Sequence, residues 1–320
     1  MSNFEILMVG PTGAGKTSLL TSMYDVLKSD LSKMGCSLTP DGSTRGPLHE
    51  QREKLETYGN TSHKDIGVQA DEGIEGTSDE RAYEFAVRLD QDRADHDFTI
   101  RFTDIPGRWI NHDPNGRVAE LMQRANATMI AIDATALMEE PKSSGTGKYH
   151  SKINSPKPIL EAYEHAGIGM DNVPHTVIYA LVKAETYYED GRILELRNRA
   201  QEAYSDLTRY FLSQGVSVYL MPVKTVGCLR FHRFTDTETG LMQYFRRIVG
   251  REYEPQDCDV PLRLMLREAL DAHLVAKRGG MPAFFTQLLE FFGANKRLKE
   301  VLEEISAEVD QTSYKIDRIS

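Results

Sequence analysis

The chain opens with residues 4–9, where five of six positions are apolar, a buried-strand pattern that stops at a glycine. Leu19, Leu20, Met23, Leu27 and Leu31 then recur at helical spacing and predict a helix over 16–31. Residues 35–80 lose this order. Gly, Ser, Thr, Asp and Glu dominate there, with one short helical candidate at 47–57, so the stretch is expected to be irregular. Period-two alternation returns at 83–89 and 98–103, and the polar turn 90–97 between them predicts an antiparallel hairpin. From there strands and helices alternate: helix 115–125, strand 128–133, a Gly/Ser/Lys/Pro-rich loop at 139–156, helix 157–166, strand 176–182, helix 192–213 and strand 216–223. That order predicts a three-layer α/β fold with a mainly parallel sheet and one antiparallel strand. Residues 224–257 are mixed around a turn at 236–240, and helix 260–277 is expected to close the domain. Past Gly279 and Gly280, Leu298, Val301, Leu302, Ile305 and Val309 share one helix face. The expected organisation is a domain over 1–280 with a C-terminal helical extension over 281–320.

The turn after the first strand carries the chemistry. Gly10-Pro11-Thr12-Gly13-Ala14-Gly15-Lys16-Thr17 is a complete G-x-x-x-x-G-K-[ST] motif, flanked by a strand before and a helix after. Glycines let successive backbone N–H groups turn inward around a phosphate chain, and the N-terminus of the helix adds positive dipole there. Gly10, Thr12, Gly13, Ala14, Gly15 and Ser18 are thus candidate phosphate contacts; Lys16 supplies charge to the β- and γ-phosphates, and the Thr17 hydroxyl is placed for Mg²⁺. A second candidate stands at the end of the third strand. Asp104 there can hold Mg²⁺ opposite Thr17, and Gly107 lets a backbone N–H approach the γ-phosphate.

Composition narrows the reading. A formal net charge of −10 argues against nucleic acid as a partner; the clusters Arg230/His232/Arg233 and Arg246/Arg247/Arg251 read as solvated faces. No apolar run reaches the length of a membrane span, and the first strand begins too early for a signal peptide. Cys36, Cys228 and Cys258 show no paired spacing, which points to neither a disulfide framework nor a zinc site. A reduced, cytoplasmic protein is expected.

With Gly10–Thr17 and Asp104-Ile105-Pro106-Gly107 in this order of elements, the sequence resembles the TRAFAC class of Ras-like P-loop GTPases, across roughly residues 4–277. Within that class it looks most like GTPase-like domains of bacterial conflict and defence gene modules. The resemblance implies GTP or GDP with Mg²⁺, and protein partners that sense the switch regions. It makes 35–80 an enlarged switch I, with Thr77 (or Ser78) as the threonine that closes over Mg²⁺. Val182-Lys183-Ala184-Glu185 stands where the family reads the base. Lys183 would lie along the purine and Glu185 accept from guanine, although the family's Asn is missing. Lys224 and Thr225 follow the last strand, in the loop that would offer N–H groups to the guanine oxygen. Arg108 replaces the usual water-orienting Gln. It is a candidate internal arginine finger against a salt-bridging loop residue, with His112 the nearest other water-orienter. The implied activity is slow, partner-dependent GTP hydrolysis by a molecular switch. The rivals are a P-loop ATPase and a nucleotide-binding protein that does not cycle; a small-molecule kinase is a further option.

Overall fold

The computed structural model describes residues 2–11, 13–60, 65–70, 79–89, 98–139, 149–166, 176–238, 240–276, 300, 301, 303, 304, 307 and 314–316. β1 (Ser2–Val9) leads through the glycine-rich turn into α1 (Lys16–Lys33), followed by β2 (Cys36–Pro40), α2 (Gly42–Asn60) and β3 (Ile66–Gln69). Next come β4 (Arg81–Leu89), β5 (Phe98–Asp104), α3 (Arg117–Arg124), β6 (Ala127–Asp133), α4 (Ala134–Met138), α5 (Tyr149–Ile153) and α6 (Pro156–His165). The rest are β7 (Thr176–Val182), α7 (Glu185–Glu189), α8 (Ile193–Ala203), α9 (Ser205–Ser213), β8 (Ser217–Pro222), β9 (Leu229–Thr237), β10 (Gly240–Arg247) and α10 (Val260–Ala276).

Seven strands form the main sheet in the order β2-β4-β5-β1-β6-β7-β8. β1, β5, β6, β7 and β8 pair in parallel, while β4 runs against both β2 and β5. The expected hairpin and single antiparallel strand are present. β1 is buried on both faces. Phe4, Ile6 and Met8 join the core beneath α1 and α10, whereas Leu7 and Val9 join the core beneath α3, α6, α8 and α9. A strand clothed on both sides reads as a near-continuous apolar run, as residues 4–9 do apart from Glu5. At the far edge, Leu220 N–H donates to Tyr314 O (2.9 Å) and Ile316 N–H to Val218 O (2.9 Å), so residues 314–316 cover β8.

Three features depart from the sequence pattern. First, the described residues of 35–80 are largely strand and helix. β2 extends the sheet edge, with Cys36, Leu38 and Pro40 turned inward, and α2 spans 19 residues, Pro47 included. The helical candidate at 47–57 is the middle of this helix, and local capping explains its earlier start: Asp41 accepts from Thr44 N–H (2.8 Å) and Ser43 Oγ (2.7 Å). Second, 192–213 is two helices, with Tyr204 (φ −108°, ψ 16°) between them. Third, the mixed region 224–257 contains the hairpin β9–β10, which pairs with β3 in a second sheet ordered β3-β10-β9. A pairing between strands so distant in sequence leaves no local signal. The basic clusters sit on this sheet and beside it, and they are ion-paired: Arg233 and Arg246 with Asp65, Arg230 with Asp190, and Arg251 with Glu189. Of the tail's apolar stripe, Val301 is buried in the core under α1; Leu298, Leu302, Ile305 and Val309 lie outside the described residues.

α2 is tied to the main sheet by Thr44, fully buried, whose hydroxyl accepts from Glu84 N–H at 2.8 Å. Replacing it with the near-isosteric Val strands that N–H. Thr44→Val is expected to cost about 1–3 kcal/mol, read from the urea unfolding midpoint.

Candidate nucleotide site

The end of β1, the start of α1 and the ends of β5 and β7 meet at one side of the sheet, where ligands bind in open α/β folds. Gly10 (φ +151°), Gly13 (φ +74°) and Gly15 (φ +102°) take backbone conformations that favour glycine. At Gly10 space forbids anything else, because a Cβ would lie 2.7 Å from Ala131 O. Lys16 Nζ donates to Gly10 O (2.9 Å) and stands 3.6 Å from Asp104 Oδ1. Thr17 Oγ1 lies 3.5 Å from Asp104 Oδ2. Lys16, Thr17 and Asp104 are therefore brought together as the motifs imply.

These three line a cavity of about 290 Å³ together with Gly13, Gly15, Ser18, Gly107, Lys183, Glu185 and Thr225. Its opposite wall is new. Gln51, Leu55 and Tyr58 of α2, Val68 of β3, Val226, Leu229, and Phe245 of β10 face the glycine-rich turn. Ala14 is fully buried. Thr12, Thr77 and Ser78 lie outside the described residues.

Glu185 is 5% exposed and its Oε1 accepts from Val226 N–H (2.9 Å) and Gly227 N–H (3.3 Å), so it holds the loop after β8 against the cavity. That loop also passes close to a second strand of chain. Gly227 has φ +77°, and a Cβ there would lie 2.1 Å from Glu254 O. Thr225 O accepts from Ser22 Oγ at 2.7 Å. Lys224 points away: Nζ reaches Gln256 Oε1 (2.6 Å) and sits over the Tyr188 ring, and the residue does not line the cavity. Arg108 and His112 are exposed, and neither is among the lining residues.

Lys183 is a junction between three parts of the chain. Its Nζ donates to Gly13 O (2.7 Å), Asp133 Oδ2 (2.6 Å) and Gln243 Oε1 (2.5 Å). Asp133 is fully buried and caps α4 through Thr135 N–H and Ala136 N–H, while Gln243 Nε2 donates back to Asp133 at 2.7 Å. The sequence reading passed over both residues. Asp133-Ala134-Thr135 at a strand end is a cap signature, and Gln243 is a polar residue at an inward-facing position between Leu241 and Phe245.

Burial acts upward on all three carboxyls here, but the net shifts differ in direction. It pushes the Asp104 carboxyl up, with Lys16 pulling down less strongly. Burial likewise pushes Glu185 up, against the N–H of Val226. At Asp133 burial also acts upward, but Lys183 and the surrounding hydrogen bonds outweigh it and the carboxyl is held low.

The residues present fit Mg²⁺. Asp104 Oδ1 is buried and has no hydrogen bond, and the Thr17 hydroxyl lies beside the same carboxylate. Among the described residues no group of three or more His, Cys, Asp or Glu is gathered. One carboxylate and one hydroxyl suit a hard cation that keeps waters and takes phosphate oxygens.

The strand order and the glycine-rich turn define a P-loop GTPase-like α/β fold. Residues 6–207 match the model of the Double-GTPase 2 family, and the chain belongs to that family. No curated protein matches it. Among solved structures, it is similar to the S. cerevisiae Ski7 GTPase-like domain bound to GTP, at 15% identity and TM-score 0.35, covering 70% of this chain and 43% of that one. It is also similar to Sup35 complexed with GDP, at 13% identity and TM-score 0.32, over 70% of this chain and 37% of that one. The chain thus spans less than half the length of either structure.

Two outcomes follow from the buried charges. Lys183→Met leaves Asp133 uncompensated and is expected to cost about 3–5 kcal/mol by denaturant unfolding, whereas the double variant with Asp133→Asn recovers part of that loss. Asp104 and Glu185 have carboxyls raised above the unfolded range, so the folded state binds more protons, and their penalty appears as pH rises from near 4 through the folded values. Asp104→Asn should therefore raise the melting temperature of the nucleotide-free protein at pH 7, yet lower Mg²⁺-dependent nucleotide affinity by about tenfold or more.

Proposed function

We propose that this chain is a Mg²⁺-dependent GTP-binding protein that hydrolyses GTP slowly and acts as a molecular switch for protein partners. The observation carrying this is one cavity with Lys16, Thr17 and Asp104 among its polar lining and Glu185 beside an apolar wall. A triphosphate with its metal matches the first group; a purine with hydrogen-bond donors on its edge matches the second. Lys16, Thr17, Gly13, Gly15, Ser18 and Gly107 would bind the phosphates, and Thr17 and Asp104 would hold Mg²⁺, with Thr77 as the switch threonine. The metal, when bound, would neutralise charge on the β- and γ-oxygens. Lys183 would brace the phosphate turn through Gly13, and Glu185 and Thr225 would frame the base.

Turnover is expected to be slow because Arg108, in the place of a water-orienting Gln, is exposed and off the cavity wall. A partner would then supply the missing group. The same observation favours a second reading, a nucleotide-binding protein that does not cycle. Setting in a TRAFAC-like bacterial conflict system is part of the proposal, supported by the sequence resemblance alone.

The test is the nucleotide that co-purifies with the full chain, identified by chromatography after denaturation. GTP or GDP is the expected result, and adenine nucleotide would make the site an ATPase. Lys16→Ala should abolish co-purification. Single-turnover hydrolysis then separates a switch from a static binder: no decay of bound GTP over hours, with or without candidate partners, would favour the second.

A further inference from the structure

α2 lies between the glycine-rich turn and the second sheet, and its cavity-facing side is Gln51, Leu55 and Tyr58, at i, i+4 and i+7. Leu55 is buried in a cluster with Val226 and Phe245, and Tyr58 packs on that cluster. These residues adjoin the loop that Glu185 holds, at the base end of the cavity. One helical turn back, a step of about 5–6 Å, Gln51 Nε2 donates to Ser18 Oγ at 3.0 Å. Ser18 follows Thr17 directly, at the phosphate end. Gln51 thus stands between base and phosphates, where the sugar of a nucleotide must lie.

We propose that α2 is a strap over the nucleotide and that Gln51 is a ribose-reading residue. This rests on the nucleotide-binding reading above. The chemistry of the side chain favours the sugar over the α-phosphate. A carboxamide offers an acceptor oxygen and a second N–H beyond the one given to Ser18, and ribose hydroxyls both donate and accept, whereas phosphate only accepts. The strap is pinned at both ends. Its first turn is held by Asp41 and by Thr44 on Glu84 N–H, and Arg52 stands 3.4 Å from Asp25 of α1. Near its end, Gly59 passes so close to Tyr253 that a Cβ would lie 3.0 Å from that N–H. A contact offered from so fixed a helix needs no loop to close before it forms.

The experiment measures affinities of the full-length protein for GDP and 2′,3′-dideoxy-GDP, and in parallel for ADP and 2′,3′-dideoxy-ADP, by calorimetry. The wild type should prefer the ribonucleotide by about five- to tenfold. Gln51→Met and the shorter Gln51→Asn should each abolish that preference, with nucleotide-free melting temperatures measured beside them to exclude unfolding. Equal wild-type affinities for GDP and its dideoxy form, or a preference undiminished in both variants, overturns the ribose contact and leaves the GTP-binding reading standing. A preference seen with ADP alone keeps the contact and overturns the guanine reading. Failure of the wild type to bind any of the four overturns both.

Discussion

The ammonium of Lys183 is the point on which the site depends. Three acceptors from three separate parts of the chain converge on it: the P-loop at Gly13, the end of β6 at Asp133, and β10 at Gln243. A charge this deeply placed is tolerated only when its partners are fully assembled, because desolvation costs several kcal/mol per ion, as an order of magnitude. Lys183 itself adopts φ +59°, a left-handed conformation that side chains other than glycine seldom take. The convergence of its side-chain bonds is what holds that backbone in place. The glycine-rich turn, the cap of α4 and the second sheet therefore share one junction.

That junction gives the second sheet a place in the site. β3, β9 and β10 do not extend the central sheet; they stand across the cavity from it, with Phe245 and Leu229 as an apolar wall and Gln243 as the polar link. Between them and the P-loop runs α2, fixed to β4 at one end and close against residues 252 and 253 at the other. In the simplest P-loop picture the segment between the first helix and the hairpin is a mobile cover. Here its described residues include β2, α2 and β3, and Thr77, the expected switch threonine, lies outside the described residues.

What the sequence disclosed follows the range of the forces involved. β1, β6 and β7 are buried on both faces, so their apolar runs were unmistakable, and the P-loop and Asp104 were legible because phosphate and metal chemistry demand fixed residues at fixed spacing. The helical candidate at 47–57 lies inside α2, but its full extent from Gly42 to Asn60 was not legible because the first turn is held by Asp41 and Thr44, not by a regular apolar stripe. Gln243 and Asp133 were missed because their meaning lies in a contact 110 residues apart in the chain. Lys224 was placed at the base for its backbone N–H, and that N–H instead donates to Gln256 O at 3.0 Å. Glu185 was recognised as a site residue, but its grip on the Val226–Gly227 backbone needed coordinates.

The pairing of residues 314–316 with β8 carries a practical consequence for anyone handling the protein. The helical layers cover the faces of β8, and Tyr314 and Ile316 occupy its outer hydrogen-bonding rim. β8 is also almost wholly apolar, with Val218, Tyr219, Leu220 and Met221 buried. Trimming the chain short of Tyr314 would uncover a sticky strand edge of the kind that recruits other strands. Shortened versions of this molecule would then face self-association in the test tube, however sound their nucleotide cavity.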